Sequence, residues 1–139
     1  MAGFGPLVVL LAGALALIAS EFMALYEIQV VTAVPAGGTQ SVGGHHAYAL
    51  LVVGVALVPM SIGAVRGGSR PAAIATLVLA LVAVAIALIV DLPDLNETGL
   101  IGRTYNQAQA RPQAGFFVET VGATLALLGA LATLLFRRR

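Results

Sequence analysis

The stretch PAAIATLVLALVAVAIALIV, residues 71–90, decides the fold class of this chain. It contains no charged side chain, and about 20 apolar residues suffice for a helix to cross the ~30 Å hydrocarbon core of a bilayer. The basic segment RGGSR, residues 66–70, precedes it, and Ser69 is a predicted N-cap. We therefore predict a transmembrane helix over residues 71–90, which follows a tight turn.

Three further apolar runs cover about residues 6–25, 47–65 and 116–136. The sequence thus predicts an all-α integral membrane protein, with residues 1–139 forming a single four-transmembrane-helix bundle. Composition agrees, because 60% of the residues are hydrophobic and 9% are charged, against about 25% charged in soluble domains. We expect the first run to be a retained span rather than a cleaved signal peptide, since no basic residue precedes it.

The charges predict the orientation and exclude some functions. Arg66, Arg70 and residues 137–139 lie on one side of the predicted bundle, whereas Arg103, Arg111 and all six acids lie on the other. By the positive-inside rule, both termini are predicted to be cytoplasmic. A net charge of +1 gives no electrostatic basis for binding nucleic acid, and the lack of Cys excludes disulfides and thiolate metal sites.

The residue usage predicts the cellular location. Every basic residue is Arg, and Ala, Gly, Val and Leu dominate, which is typical of a GC-rich bacterial genome. We therefore expect a multi-pass protein of the bacterial cytoplasmic (inner) membrane, with lipid as its surroundings.

Two long extracytoplasmic loops, about residues 26–46 and 91–115, are predicted to pack on each other; we call them the cap. Loops of this length usually contain local structure. The segment IQVVTAV, residues 28–34, is rich in β-branched residues and predicts either a short strand or a continuation of the first helix towards Pro35. Residues 92–115 are interpreted as loop or short helix.

Glu21 interrupts the end of the first apolar run. Counting 1.5 Å per residue from Pro6 places it about 22 Å into the membrane, and the same count brings the other ionisable groups near the spans into one band. A carboxylate in lipid costs about 2.5–3.5 kcal/mol, so it normally faces protein or water. We expect Glu21 to pair with an arginine, a histidine or backbone N–H groups. The predicted functional polar layer comprises Glu21, His45, His46, Asp91, Glu119, Arg103 and Arg111.

A metal site is one alternative for this layer. Its candidate ligands are His45, His46, Asp91 and Glu119, with Asp94 and Glu97 nearby. Imidazole and carboxylate ligands suit Zn, Mn or Fe. Adjacent residues on a helix point about 100° apart, so both histidines can share one ion only at an irregular turn. The preferred interpretation is that they are hydrogen-bonded residues at the membrane interface, with no metal and no cofactor.

The segment IASEF, residues 18–22, places a glutamate in the first of four spans. In this feature the chain resembles small proton-coupled multidrug transporters, which implies a proton-coupled or cation-binding role for Glu21. It departs from them in its long outer loops, its lack of Trp and the shallow depth of Glu21. Claudin-like proteins share the four-span layout with a strand-rich outer cap, but their W…GLW…C…C signature is absent.

Small residues recur at helical spacing in three of the spans, where they permit close helix contacts. These residues are Ala12, Ala16 and Ser20; Ala80, Ala83 and Ala87; and Gly122, Ala126 and Ala130. The leading hypothesis is a non-enzymatic protein that self-associates, or is a subunit of a larger membrane complex, through its cap and small-residue faces. The alternatives are an oligomeric channel or proton-coupled transporter using Glu21, and a membrane metalloenzyme using His45, His46 and nearby acids.

Overall fold

The computed structural model describes residues 4–30, 37–104 and 107–136. The chain is mostly helical and also contains a small sheet. The four main helical elements are α1 (Phe4–Ser20), α3 (Ala49–Val65), α4 (Arg70–Ala85) and α7 (Ala114–Leu135). A π-helical segment (Ile86–Asp91) and α5 (Leu92–Asp94) continue α4 without a break. The remaining elements are β1 (Ala24–Val30), β2 (Gly37–Ser41), α2 (Val42–His45), α6 (Gly99–Thr104) and β3 (Ala108–Pro112).

The four main helices pack as a ring in which α1 and α4 each contact both α3 and α7. The core lies inside this ring. Large side chains come mainly from α1 and α3, and alanines come mainly from α4 and α7. The fully buried residues of this core include Leu10, Leu17, Leu50, Leu57, Ala80, Ala83 and Ala126.

The closest helix contact joins α1 to α7. A Cβ atom on Gly13 would lie 2.7 Å from the Ala126 nitrogen and 2.8 Å from the Gly122 carbonyl oxygen, so only glycine permits this approach. The predicted small-residue stripes of α7 and α4 are buried within the bundle. In the predicted stripe of α1, Ser20 is buried and Ala16 is half-buried, whereas Ala12 is exposed.

Among the described residues, two helices are long and apolar enough to cross a membrane: the continuous helix Arg70–Asp94, with 25 residues, and Ala114–Leu135, with 22. Helices α1 and α3 are also apolar but are shorter, with 17 residues each, or about 25 Å at 1.5 Å per residue. The first helix ends at Ser20, before the predicted limit at residue 25, because the chain turns there into β1. That all four helices cross the membrane stays a prediction.

The turn between α3 and α4 follows the prediction. Gly68 has a φ of +60°, which is left-handed, and glycine adopts that conformation without steric cost. The Ser69 side chain then accepts a hydrogen bond from the Ala72 N–H at 3.3 Å, which confirms the predicted N-cap.

The cap contains an antiparallel sheet with the strand order β2-β1-β3. The all-α prediction is therefore wrong in this region. The segment ALYEIQV of β1 has the aromatic and β-branched residues of a strand, whereas GGTQS of β2 and AQARP of β3 do not. These two become strands by pairing with β1. Of the segment 28–34, residues 28–30 form a strand, and residues 31–34 lie outside the described part of the chain.

Candidate metal centre

Four elements bring ionisable side chains to one buried layer, where the cap meets the ends of the main helices. Glu21 follows α1, His45 and His46 lie at the end of α2, Asp91 ends the π-helical segment, and Glu119 lies in the second turn of α7. The exposed fractions are 1% for Glu21 and 0% for Asp91 and Glu119. This arrangement brings together five of the seven residues of the predicted polar layer.

Asp91 is the last residue of the π-helical segment. The π-helical segment lies between α4, which ends at Ala85, and α5, which begins at Leu92, within one continuous helix. Its wider turns rotate the following side chains relative to a continuous α-helix. Asp91 is fully buried, whereas Ile89, two residues earlier, is 72% exposed. Single π-turns of this kind occur frequently at functional sites.

An irregular turn positions the two histidines. Ala47 and Tyr48 follow them with φ values of 53° and 59°, and a left-handed conformation costs an L-residue about 1–2 kcal/mol. The turn leaves the rings of His45 and His46 5.9 Å apart at 72°. Both imidazoles then face Asp91, which adjacent histidines within a regular helix would not do.

Asp91 lies between the two imidazoles. Its Oδ1 atom is 3.6 Å from Nε2 of His45, and its Oδ2 atom is 3.5 Å from Nε2 of His46. On the other side of the His46 ring, Nδ1 is 3.7 Å from Oε1 of Glu21. His46, Asp91 and Glu119 each offer one ligand atom, and these three atoms all lie within 4.8 Å of one another.

Many polar atoms of this layer have no hydrogen-bond partner among the described residues. They are Oε2 of Glu21, both ring nitrogens of His46, and both carboxylate oxygens of Asp91 and of Glu119. Burying polar groups without partners costs free energy, so native proteins seldom do it. The layer therefore has the chemistry to share protons among its members or to coordinate a cation.

The spacing within the layer matches metal ligation better than hydrogen bonding. Separations of 3.5–3.7 Å between Asp91, Glu21 and the histidine nitrogens exceed hydrogen-bond lengths. Two ligands at 2.0–2.1 Å from a tetrahedral Zn²⁺ lie about 3.4 Å apart. Small side-chain rotations would therefore bring Nε2 of His46 and Oδ2 of Asp91 into one coordination shell.

One oxygen of Glu21 is satisfied by the backbone. Oε1 accepts a hydrogen bond from the Leu51 N–H at 3.1 Å, in the first turn of α3, where backbone N–H groups lack intrahelical partners. Backbone N–H groups were among the predicted partners of Glu21, but nothing in the sequence identifies the amide of Leu51 in particular.

The pKa of His46 is raised above its ordinary value. Burial acts to lower the pKa, but the adjacent Asp91 carboxylate, and then the charge of Glu21, favour the imidazolium more strongly. A metal that binds a nitrogen of His46 must therefore displace a proton from that ring, where the neighbouring carboxylates stabilise it.

The rim of the layer is partly accessible. Nε2 of His45 lies 2.9 Å from Oδ2 of Asp94, and the two side chains are 18% and 36% exposed. The Tyr26 ring packs edge-on against His45, with centroids 6.4 Å apart. Burial, followed by the charges of Asp94 and Glu97, raises the pKa of Tyr26 above its ordinary value.

The structure does not bring the two arginines of the predicted layer to this site. Arg111 lies on β3 opposite Glu27, and Arg103 lies in α6. Within residues 4–30, 37–104 and 107–136, no arginine forms a salt bridge with a carboxylate of the layer. In the described part of the chain, the buried carboxylates therefore form ion pairs with histidines and not with arginines.

No protein-family model, no curated protein and no solved structure matches this chain.

Proposed function

We propose that this chain is a four-span membrane metalloprotein that binds a divalent transition-metal ion beneath the cap, with His46, Asp91 and Glu119 as ligands. The observation that carries the proposal is the set of buried, mutually facing nitrogen and oxygen atoms that lack hydrogen-bond partners among the described residues. A cation in this position would satisfy one donor atom from each of these three ligands. It would also connect α2, the π-helical segment and α7, and thereby fix the cap to the bundle.

The donor set indicates the class of ion. Imidazole nitrogen with carboxylate oxygen suits Zn²⁺, Mn²⁺ or Fe²⁺, whereas Ca²⁺ and Mg²⁺ prefer oxygen-only sites. The chain has no Cys, so sulfur-selective ions such as Cu⁺ have no thiolate to bind. We therefore expect a site selective for Zn²⁺, Mn²⁺ or Fe²⁺ over Ca²⁺.

The proposed topology has both termini in the cytoplasm of a bacterium and the metal centre at the extracytoplasmic end. Two candidate spans, the packing of α1 and α3 beside them, and the segregation of arginines from acids support it. The ion would then arrive from outside the cell, past the partly exposed His45 and Asp94.

Metal retention by the purified protein tests the proposal. The protein in detergent is stripped with a chelator, incubated with Zn²⁺ or Mn²⁺, desalted and measured by elemental mass spectrometry. We expect wild type to retain at least one ion per chain, and Asp91→Asn and Glu119→Gln to bind at least 10-fold more weakly, because each loses a ligand. Glu97→Gln removes an exposed acid of the same cap and serves as the matched control.

Two outcomes decide the test. Retention lost in Asp91→Asn and Glu119→Gln but kept in Glu97→Gln supports the centre, provided that circular dichroism and gel filtration match wild type. Wild type that retains no Zn²⁺ or Mn²⁺ overturns the proposal. The layer would then be a proton-sharing cluster.

Self-association without catalysis, which the sequence favoured, stays an alternative proposal, as does transport through Glu21. Because the stripes of α4 and α7 are buried inside the bundle, an assembly would have to use other faces, such as the exposed side of α1 around Ala12. Native mass in detergent tests it, and a monomer would contradict it.

A further inference from the structure

The carboxylate of Asp91 presents its two oxygens to two different histidines. Oδ2 lies nearest to Nε2 of His46, and Oδ1 lies nearest to Nε2 of His45, at 3.5 Å and 3.6 Å. Both oxygens are buried and lack a hydrogen-bond partner among the described residues. A single ion bound by His46, Asp91 and Glu119 would use one of these oxygens and leave the other facing His45.

We infer that the centre holds two divalent ions bridged by Asp91. The inner ion is bound by His46, Glu119 and Oδ2 of Asp91, and the outer ion by His45, Asp94 and Oδ1 of Asp91. This inference rests on the proposed function, because the outer ion shares Asp91 with the inner one.

The outer donors already converge. Asp94 follows Asp91 by three residues on the same continuous helix, so the two side chains lie on one face. Nε2 of His45 lies between them, 2.9 Å from Asp94 and 3.6 Å from Asp91. An ion inserted here would replace the contact between His45 and Asp94, and the partial exposure of both side chains gives it a route from solvent.

The positions of the two histidine rings fit two ions bridged by the carboxylate of Asp91. Two-metal sites hold their ions about 3.5–4 Å apart, and the two oxygens of one carboxylate can each bind one of two such ions. The two histidine rings, on opposite oxygens of Asp91, have centroids 5.9 Å apart. Each ion therefore has its own imidazole, and the two coordination shells share only Asp91.

The charge of the layer also favours two ions. Glu21, Asp91, Asp94 and Glu119 together carry four negative charges when ionised. Two divalent ions would neutralise all four, whereas one would leave two, of which the partly exposed Asp94 carries one in contact with solvent. Uncompensated buried charge is strongly unfavourable, and among the described residues no arginine approaches the layer.

Manganese distinguishes one ion from two, because Mn²⁺ can be counted and is visible by electron paramagnetic resonance. The chelator-stripped full-length protein in detergent is titrated with Mn²⁺. We expect two ions per chain and a broadened spectrum from magnetic coupling across Asp91. Asp94→Asn and His45→Ala should each retain one Mn²⁺ per chain with the six-line spectrum of an isolated ion. Glu97→Gln should keep two coupled ions.

The outcomes separate this inference from the proposed function. One Mn²⁺ per chain in wild type, unchanged in Asp94→Asn and His45→Ala, overturns the second ion but leaves the metal centre. Two ions with an uncoupled spectrum overturn the bridge through Asp91. No bound Mn²⁺ or Zn²⁺ in wild type overturns both. The stoichiometry of wild type decides the matter even where a variant fails to fold.

Discussion

Replacing Gly13 by Ala would place a methyl group in the closest contact between α1 and α7. The new Cβ atom would lie 2.7 Å from the backbone nitrogen of Ala126 and 2.8 Å from the carbonyl oxygen of Gly122, against 3.4 Å for ordinary contact. Both obstacles are backbone atoms of a helix, which cannot rotate away as a side chain can. The helices must therefore separate by about 0.7 Å, the difference between these distances.

This separation of the helices determines how much Gly13→Ala lowers the free energy of unfolding. A gap of about 0.5–1 Å forfeits a quarter to a half of each dispersion contact across the interface, and overpacking of a core typically costs about 1–3 kcal/mol. The higher helix propensity of Ala returns up to ~1 kcal/mol. We therefore expect Gly13→Ala to lower the free energy of unfolding by about 1–2 kcal/mol.

Gly5→Ala is the matched control, because it is in the same helix and its Cβ would meet no described atom within 4 Å. Its unfolding free energy should equal that of wild type or exceed it by up to ~1 kcal/mol. Both variants are unfolded in mixed detergent micelles and followed by circular dichroism. If Gly13→Ala were as stable as Gly5→Ala, the close approach of α1 and α7 would be refuted.

Two further predictions test the turn between α3 and α4 and the topology. Ser69→Ala removes the N-cap hydrogen bond from the Ala72 N–H and should destabilise the protein by about 1 kcal/mol in the same unfolding assay. Ser69→Asp should retain most of the stability. Equal stability of Ser69→Ala and wild type would contradict the N-cap. Because the chain has no Cys, single-cysteine variants report directly on which side of the membrane a residue lies. In intact cells a membrane-impermeant maleimide should label Thr39→Cys in the cap but label Arg70→Cys only after lysis. Labelling of both variants in intact cells would refute the proposed orientation.

Hydropathy predicted the helices well because burial in the bundle and exposure to lipid both require apolar side chains. The apolar runs at 47–65, 71–90 and 116–136 correspond closely to α3, to α4 with its π-helical continuation, and to α7. The end of α1 was missed because the apolar residues Phe22, Met23 and Ala24 continue the run after the helix has ended. Hydropathy does not detect a turn made of apolar residues.

The sheet was only partly predictable, because two of its strands lack any local preference for the β conformation. β2 is GGTQS and β3 is AQARP, and they pair with β1 through backbone hydrogen bonds that do not depend on side-chain type. The strand-prone residues of β1 were visible in the sequence, but its partners were not. Tertiary pairing overrides local propensity in such segments.

The candidate site was predictable in composition but not in geometry. Counting residues from the predicted cytoplasmic boundary placed Glu21, His45, His46, Asp91 and Glu119 in one layer, and the structure brings them together. The count cannot tell which side chains of a layer point inward. It therefore included the two arginines, which lie elsewhere on α6 and β3.

The unfavourable local features of this chain converge on the same layer. Ala47 and Tyr48 adopt left-handed backbone conformations, the helix after Ala85 widens into a π-helix, and Asp91 and Glu119 are buried without hydrogen-bond partners among the described residues. Each such feature costs of order 1–3 kcal/mol. Packing four apolar helices requires none of them, since the core formed by Leu10, Leu17 and their neighbours lies outside this layer. Features that oppose local preferences concentrate at functional sites, where a ligand offsets their cost. Metal coordination by Asp91 would offset several at once, because this carboxylate ends the π-helical segment and faces the two histidines that precede the left-handed turn.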